Sequence, residues 1–304
     1  MSTASTEDAM GFDTAYESIS EESDTGHRWA FGTGFTDPLA GVDTTVPAGV
    51  DGADLGAYCL MLGDDALVMS HRLQQWLARA PELEEETALA NIALDLLGQA
   101  RLLLSRAGTA DGTERTEDDL AFGRGEREFR NVRLAEVTDG DFAGLIGRLF
   151  VFSALRLTLL DRLRGSADPV LAAVAAQGAK ELTYHRDYAA QWLIRLGDGT
   201  DYSRERMARG LAAVAPLVPE LFEPTAVERR LAAAGVGVDP AELRNEFDAV
   251  ASVVLGEAEL DWPDVAALAR VSGQAGRDGV HTEEMGYLLA ELQSVARAMP
   301  GATW

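Results

Sequence analysis

Seven side chains, Leu55, Cys59, Leu62, Ala66, Met69, Leu73 and Trp76, recur at alternating steps of four and three. Steps of four and three return each of them to one face of an α-helix. A β-strand alternates faces at every residue and cannot present that stripe. The pattern predicts a long helix beginning near Asp54, with one continuous apolar face. Such a face must be covered, and other helices are its natural cover.

The remaining pattern has the same character. Pro81 breaks the first helix, and Glu84, Glu85 and Glu86 place negative charge in the first turn of the next, where it complements the helix dipole. Leu89, Ile92, Leu96, Gln99 and Leu103 share one face of that second helix, which ends between Gly108 and Gly112. Residues 117–136 are charged and predict a short helix plus loop. Phe142 to Leu163 is apolar nearly all round, with Phe150, Val151 and Phe152 at its centre, the pattern of a helix buried on most sides. Asp168 before Pro169 predicts a capped helix start, and that helix runs to about Leu196, before a turn through Thr200. Further helices are predicted near 203–215, 225–234, 240–259 and 282–298. Strand-like alternation is nearly absent. The chain reads as all-α: a long-helix bundle over 55–304 with extra C-terminal helices.

Residues 1–54 differ. They hold eleven Asp or Glu and one Arg, with many Ser, Thr and Gly, and read as an acidic, disordered leader. Phe12, Tyr16, Trp29, Phe31 and Phe35 are its aromatic groups. The whole chain carries a formal charge of −24, which argues against nucleic acid or anionic lipid as partners. Lys180 is the sole lysine among 26 basic residues. An acidic surface nearly free of lysine suits a high-salt cytoplasm, so a halophilic source is expected. No apolar run reaches the roughly 18–20 residues of a membrane span, and the acidic N-terminus does not resemble a targeting signal. A cytoplasmic protein is expected. The single cysteine, Cys59, precludes an intramolecular disulfide and sits on the apolar stripe as a core thiol.

Within this bundle one set of polar residues sits where a metal site belongs. Glu181 and His185 are four apart, on a helix face shared with Val174, Gly178, Ala189 and Trp192. Asp65 lies on the shoulder of the first stripe, and Asn91, Asp95 and Gln99 form a polar column on the second helix. Di-iron bundles take a Glu from each of two helices and Glu-x-x-His from each of two others. Here Gly98 follows Asp95 by three, Tyr184 follows Glu181 by three, and no Glu-x-x-His occurs in the chain. The third helix offers Phe150-Val151-Phe152 where a carboxylate is needed. Asp65, Asp95, Glu181 and His185 therefore read as degenerate di-metal positions. The expectation is a buried Glu181–His185 pair, joined by Asp65, Asp95 and one of Arg72, Arg101 or Arg186. No catalytic residue, metal ligand or cofactor is assigned. The alternative is a stand-alone di-metal oxidase or hydroxylase built on the same four residues. His27 and His71 have no partners at metal spacing, and Asp278 and His281 lie in a glycine-rich loop ahead of a helix start.

A resemblance rests on several ungapped segments. They are Leu62-Gly63-Asp64-Asp65 with Ser70-His71-Arg72-Leu73, Ala80-Pro81-Glu82-Leu83-Glu84, and the run from Ala88 to Arg101. Phe129-Arg130-Asn131, Gly140-Asp141-Phe142-Ala143, Lys180-Glu181, Tyr184-His185 and Trp192 to Thr200 add to them. So do Gly279 to Glu283, Leu288 to Gln293 and Pro300 to Trp304. From about residue 55 onward the chain resembles the non-catalytic, ferritin-like C subunit of the phenylacetyl-CoA epoxidase family. The resemblance implies that a sister subunit of the same fold holds the di-iron centre and epoxidises the ring of phenylacetyl-CoA. It implies a heterodimer with that sister, a small bridging subunit, and a reductase with flavin and an iron–sulfur cluster. The missing ligands agree with that division of labour.

Overall fold

The computed structural model describes residues 39–300 and 302. The leader aromatics, His27 and most of the Pro300 to Trp304 segment lie outside the described residues. Among these the chain forms eleven α-helices and no strand, apart from one isolated bridge between Val271 and Gln274.

Four long helices make the core. They are α1 (Gly52–Gln74), α2 (Leu83–Ala110), α5 (Phe142–Leu163) and α6 (Pro169–Gly197). The stripe of α1 is buried throughout: from Leu55 to Trp76 none of its seven members is more than 5% exposed. Contacts along the axes give the directions. Gly52 meets Ala110 and Gly63 meets Leu104, so α1 and α2 are antiparallel. Leu62 meets Arg156 and Met69 meets Arg148, so α1 and α5 are antiparallel. Asp95 meets His185 and Gln99 meets Glu181, so α2 and α6 are antiparallel. It follows that α2 and α5 run in the same direction, and the chain between them must travel the length of the bundle. That long crossover, the mark of a ferritin-like connection, carries α3 (Glu117–Phe122) and α4 (Arg133–Glu136).

Local chemistry sets the helix ends. Asp51 caps α1 by accepting from the Ala53 amide at 2.8 Å. Asp141 caps α5 through the Gly144 amide at 2.9 Å. As the sequence predicts, Asp168 caps α6 through the Leu171 amide at 2.9 Å, with Pro169 in the first turn.

Five shorter helices complete the set among the described residues: α7 (Asp201–Val214), α8 (Ala226–Ala233), α9 (Arg244–Glu257), α10 (Glu283–Leu292) and α11 (Ser294–Ala298). Two differences from the sequence reading stand out. The segment near 240–259 begins as a 3-10 turn over Pro240–Leu243, capped by Asp239 through the Ala241 amide, before the regular helix starts at Arg244. The predicted 282–298 helix is split at Gln293, whose buried side-chain amide donates to the Ala121 and Arg124 carbonyls. Residues ahead of α1 also engage the bundle: the Thr44 carbonyl accepts from the guanidinium of buried Arg106 at 2.5 Å.

Among the described residues two helices, α2 and α5, are long and apolar enough to cross a membrane by length and composition alone. The sequence pattern concealed this because isolated polar residues interrupt each run. In α5 the most apolar 18-residue window is 78% buried inside the bundle, as befits its central helix.

Candidate functional site

The four degenerate positions do not form one cluster. Glu181 and His185 share a helix face, yet they do not bond to each other. His185 is fully buried and its Nε2 meets Asp95 Oδ2 at 2.9 Å. Glu181 is half-buried and accepts instead from Gln99 Nε2 at 2.8 Å and Gln177 Nε2 at 2.9 Å. This corrects the expected Glu181–His185 pair. Both side chains lean from α6 toward α2, and each meets the α2 residue opposite it before it can reach its own neighbour.

Asp65 is engaged elsewhere. It accepts from the Val132 amide at 2.8 Å and from both terminal nitrogens of Arg277, at 3.0 and 2.8 Å. Arg277 stands on a 3-10 turn over Gly276–Asp278, far along the chain, and also donates to the Met61 and Arg130 carbonyls. Burial works against its charge, but Asp65, together with Glu228 and Glu220, more than offsets that and raises its pKa. The three arginines expected to join the network do not. Arg72 serves the Glu136 and Glu284 carbonyls, Arg101 pairs with Glu117 on the surface, and Arg186 pairs with Asp187.

The cation that does join is Arg156 of α5, 3% exposed. Its Nε donates to Gln99 Oε1 at 3.0 Å and its Nη1 to the Leu62 carbonyl at 3.2 Å. Burial pushes its guanidinium down to about 10, against the pull of Asp65 and Glu181. Gln99 is the hinge of this layer: its carbonyl oxygen accepts from Arg156 while its amide donates to Glu181. Beside Arg156 lies a cavity of about 40 Å³, lined in part by Tyr58, Asp65, Glu228 and Arg277. That is room for a water or two, whereas small-molecule pockets run to ~300 Å³ and above.

The sequence reading missed Arg156 because α5 looks apolar all round, and a single arginine in such a run reads as an exposed interruption. It also missed other buried charges. Arg124 grips Asp64 with a closest approach of 2.5 Å, Arg106 holds Asp168, and Arg148 reaches Asp139 at 2.5 Å. His281 is no loop residue at a bare helix start. Both its side chain and that of Glu136 are fully buried, and its Nδ1 meets Glu136 Oε2 at 2.7 Å. Each of these partners lies outside the reach of one helical turn, so no local spacing signals them.

The donors do not fit a di-metal centre. Both oxygens of Asp65 are held by Arg277, Asp95 gives an oxygen to His185, and Glu181 gives both to glutamine amides. Gly98 has no ligand to offer, and Tyr184 is half-exposed. A fixed guanidinium, Arg156, stands among them where such a site needs anionic donors around cations. Among the described residues, the one group of three such donors within ligating reach of each other is Glu82, Glu84 and Glu85, at the surface start of α2.

The match to known proteins is broad. The family model described as phenylacetic acid catabolic protein matches residues 43–304. The chain belongs to that family. A relative from Escherichia coli (strain K12), named as the C subunit of 1,2-phenylacetyl-CoA epoxidase, is 43% identical over 250 residues. The alignment covers 82% of this chain and 99% of that relative. The family match opens at residue 43, close to where Thr44 meets Arg106.

Proposed function

We propose that this chain is the C subunit of a multicomponent phenylacetyl-CoA epoxidase and holds no iron itself. On this reading it pairs as a heterodimer with a di-iron catalytic subunit of the same fold in the cytoplasm. A small bridging subunit and a reductase complete the assembly. The observation that carries the reading is Arg156. A buried guanidinium, tied to Gln99 and Leu62 and facing Asp65 and Glu181, supplies the positive charge that a metal would otherwise bring. The long, nearly full-length identity to a protein named as the C subunit supports the assembly role.

Ring epoxidation needs an oxygen-activating centre and space for an aromatic thioester. The polar core here offers neither the donor set nor the volume. On this reading the chain stabilises and shapes its partner.

Two measurements test this. Co-expression with the catalytic sister chain should yield a stable pair at the host's working salt; failure to associate overturns the scaffold role. Metal analysis of the isolated chain should find iron well below stoichiometric. About two irons per chain would instead support a stand-alone oxidase built on Asp65, Asp95, Glu181 and His185.

A further inference from the structure

We infer that the outward face of α2 and α6 is the seat of another subunit, one that presents an apolar helix surface with a carboxylate opposite Lys180. The inference rests on the reading of this chain as a subunit and deepens it by assigning the surface.

The first observation is an imbalance in burial. α2 and α5 are both apolar enough to cross a membrane, but the most apolar window of α2 is only 50% buried inside the bundle, against 78% for α5. The uncovered side of α2 carries Leu94, 57% exposed, and Gly98, where an added Cβ would touch nothing. The Asp95–His185 bond holds α6 alongside, so Tyr184, 51% exposed, stands on the same outward side, with Tyr188 one turn further on. Leucine and tyrosine left half-exposed on two adjoining helices are the residue types that anchor protein interfaces.

The second observation is charge. The chain holds 50 acidic residues, yet from Thr87 to the end of α2 only Asp95 is acidic, and His185 answers it. Lys180, the sole lysine, lies on the outward side of α6 one turn before Tyr184. It is exposed and makes no hydrogen bond or ion pair among the described residues. An unpaired ammonium one turn from the exposed ring of Tyr184, on a chain of charge −24, is complementary to a partner that brings its own carboxylate.

These features select the occupant. Anionic lipid is opposed by Glu82, Glu84 and Glu85 at the start of α2. A second copy brings the same uncovered ammonium to the face. A different subunit supplies what is missing, and Gly98 lets its helix approach α2 closely.

Because Lys180 is the only side-chain amine, an amine-acylating reagent with peptide mapping reads this face directly. In the pair formed with the catalytic sister chain, Lys180 acylation should fall several-fold relative to the free chain. Leu94→Asp and Tyr184→Asp, both at exposed positions, should abolish pairing while leaving the melting curve of the free chain unchanged. Equal labelling of Lys180 in the wild-type pair, or pairing by both variants, overturns the assignment of this face and leaves the subunit reading standing. Failure of the wild-type chains to pair overturns both. Protection of Lys180 that grows with the concentration of the free chain identifies a second copy as the occupant and also overturns the proposal.

Discussion

Arg156 shows how much one side chain sets the character of this core. Its guanidinium is desolvated, and it satisfies Gln99 and the Leu62 carbonyl from within a helix that is otherwise apolar. Arg156→Ala should destabilise the fold by about 3–5 kcal/mol, because it removes one partner from a buried charge network and leaves a hole. Arg156→Met, which keeps most of the volume, should lose less. Urea unfolding checks both, and a loss under ~1 kcal/mol for the alanine variant sinks the idea of a structural cation. His281 offers a second test. Its two ring nitrogens face two acceptors, Glu136 Oε2 at 2.7 Å and the Phe129 carbonyl at 3.2 Å. Only the imidazolium donates to both. Burial disfavours that charge, but the Glu136 bond and charge outweigh it, with Glu126 adding a little, and the pKa is raised above 6.5. A raised folded value means that the stabilisation is complete below the unfolded pKa and is lost as pH rises through the folded one. Stability should therefore fall above about pH 6.5, with faster amide exchange in α10. His281→Gln should flatten that slope. His71, whose pKa burial lowers, acts with the opposite sign on the acid side.

At the scale of elements, the sequence foretold the four long helices because each carries its own evidence. The α1 stripe, the Glu84 to Glu86 turn, the Asp168 cap and Pro169 are all local signals. Close approach between helices is not local. Gly178 on α6 is an example: an added Cβ would lie 2.7 Å from Leu160 Cδ1 and 3.1 Å from Gln99 Cδ. Gly178→Ala should cost about 1–3 kcal/mol through overpacking. It should also weaken the Gln99 layer, visible as faster exchange of α2 and α6 amides. A neutral effect would show that α6 can shift away from α2 without loss. The split at Gln293 teaches the same lesson in reverse, since a helical pattern gave way to two distant carbonyls.

For the whole molecule, the charge of −24 dominates. Paired buried charges are spared, but the surface carries a large excess of carboxylates that repel one another. Raising KCl from about 0.1 to about 1 M shortens the screening length from ~10 to ~3 Å. The unfolding midpoint should rise over that range. A midpoint indifferent to salt would count against self-repulsion and against a halophilic setting. Composition and periodicity by themselves determined that this chain is an all-helical bundle with a large acidic excess, and spacing determined that it carries no Glu-x-x-His. Those properties are legible because helix period, capping and charge act within a few residues. Only the tertiary structure decided who pairs with whom: His185 with Asp95, Glu181 with Gln99, Asp65 with Arg277, and Arg156 at the centre. Partners brought together across 57 to 212 residues leave no mark in local spacing, so the same residues that looked like a damaged metal site became separate clamps in a packed core.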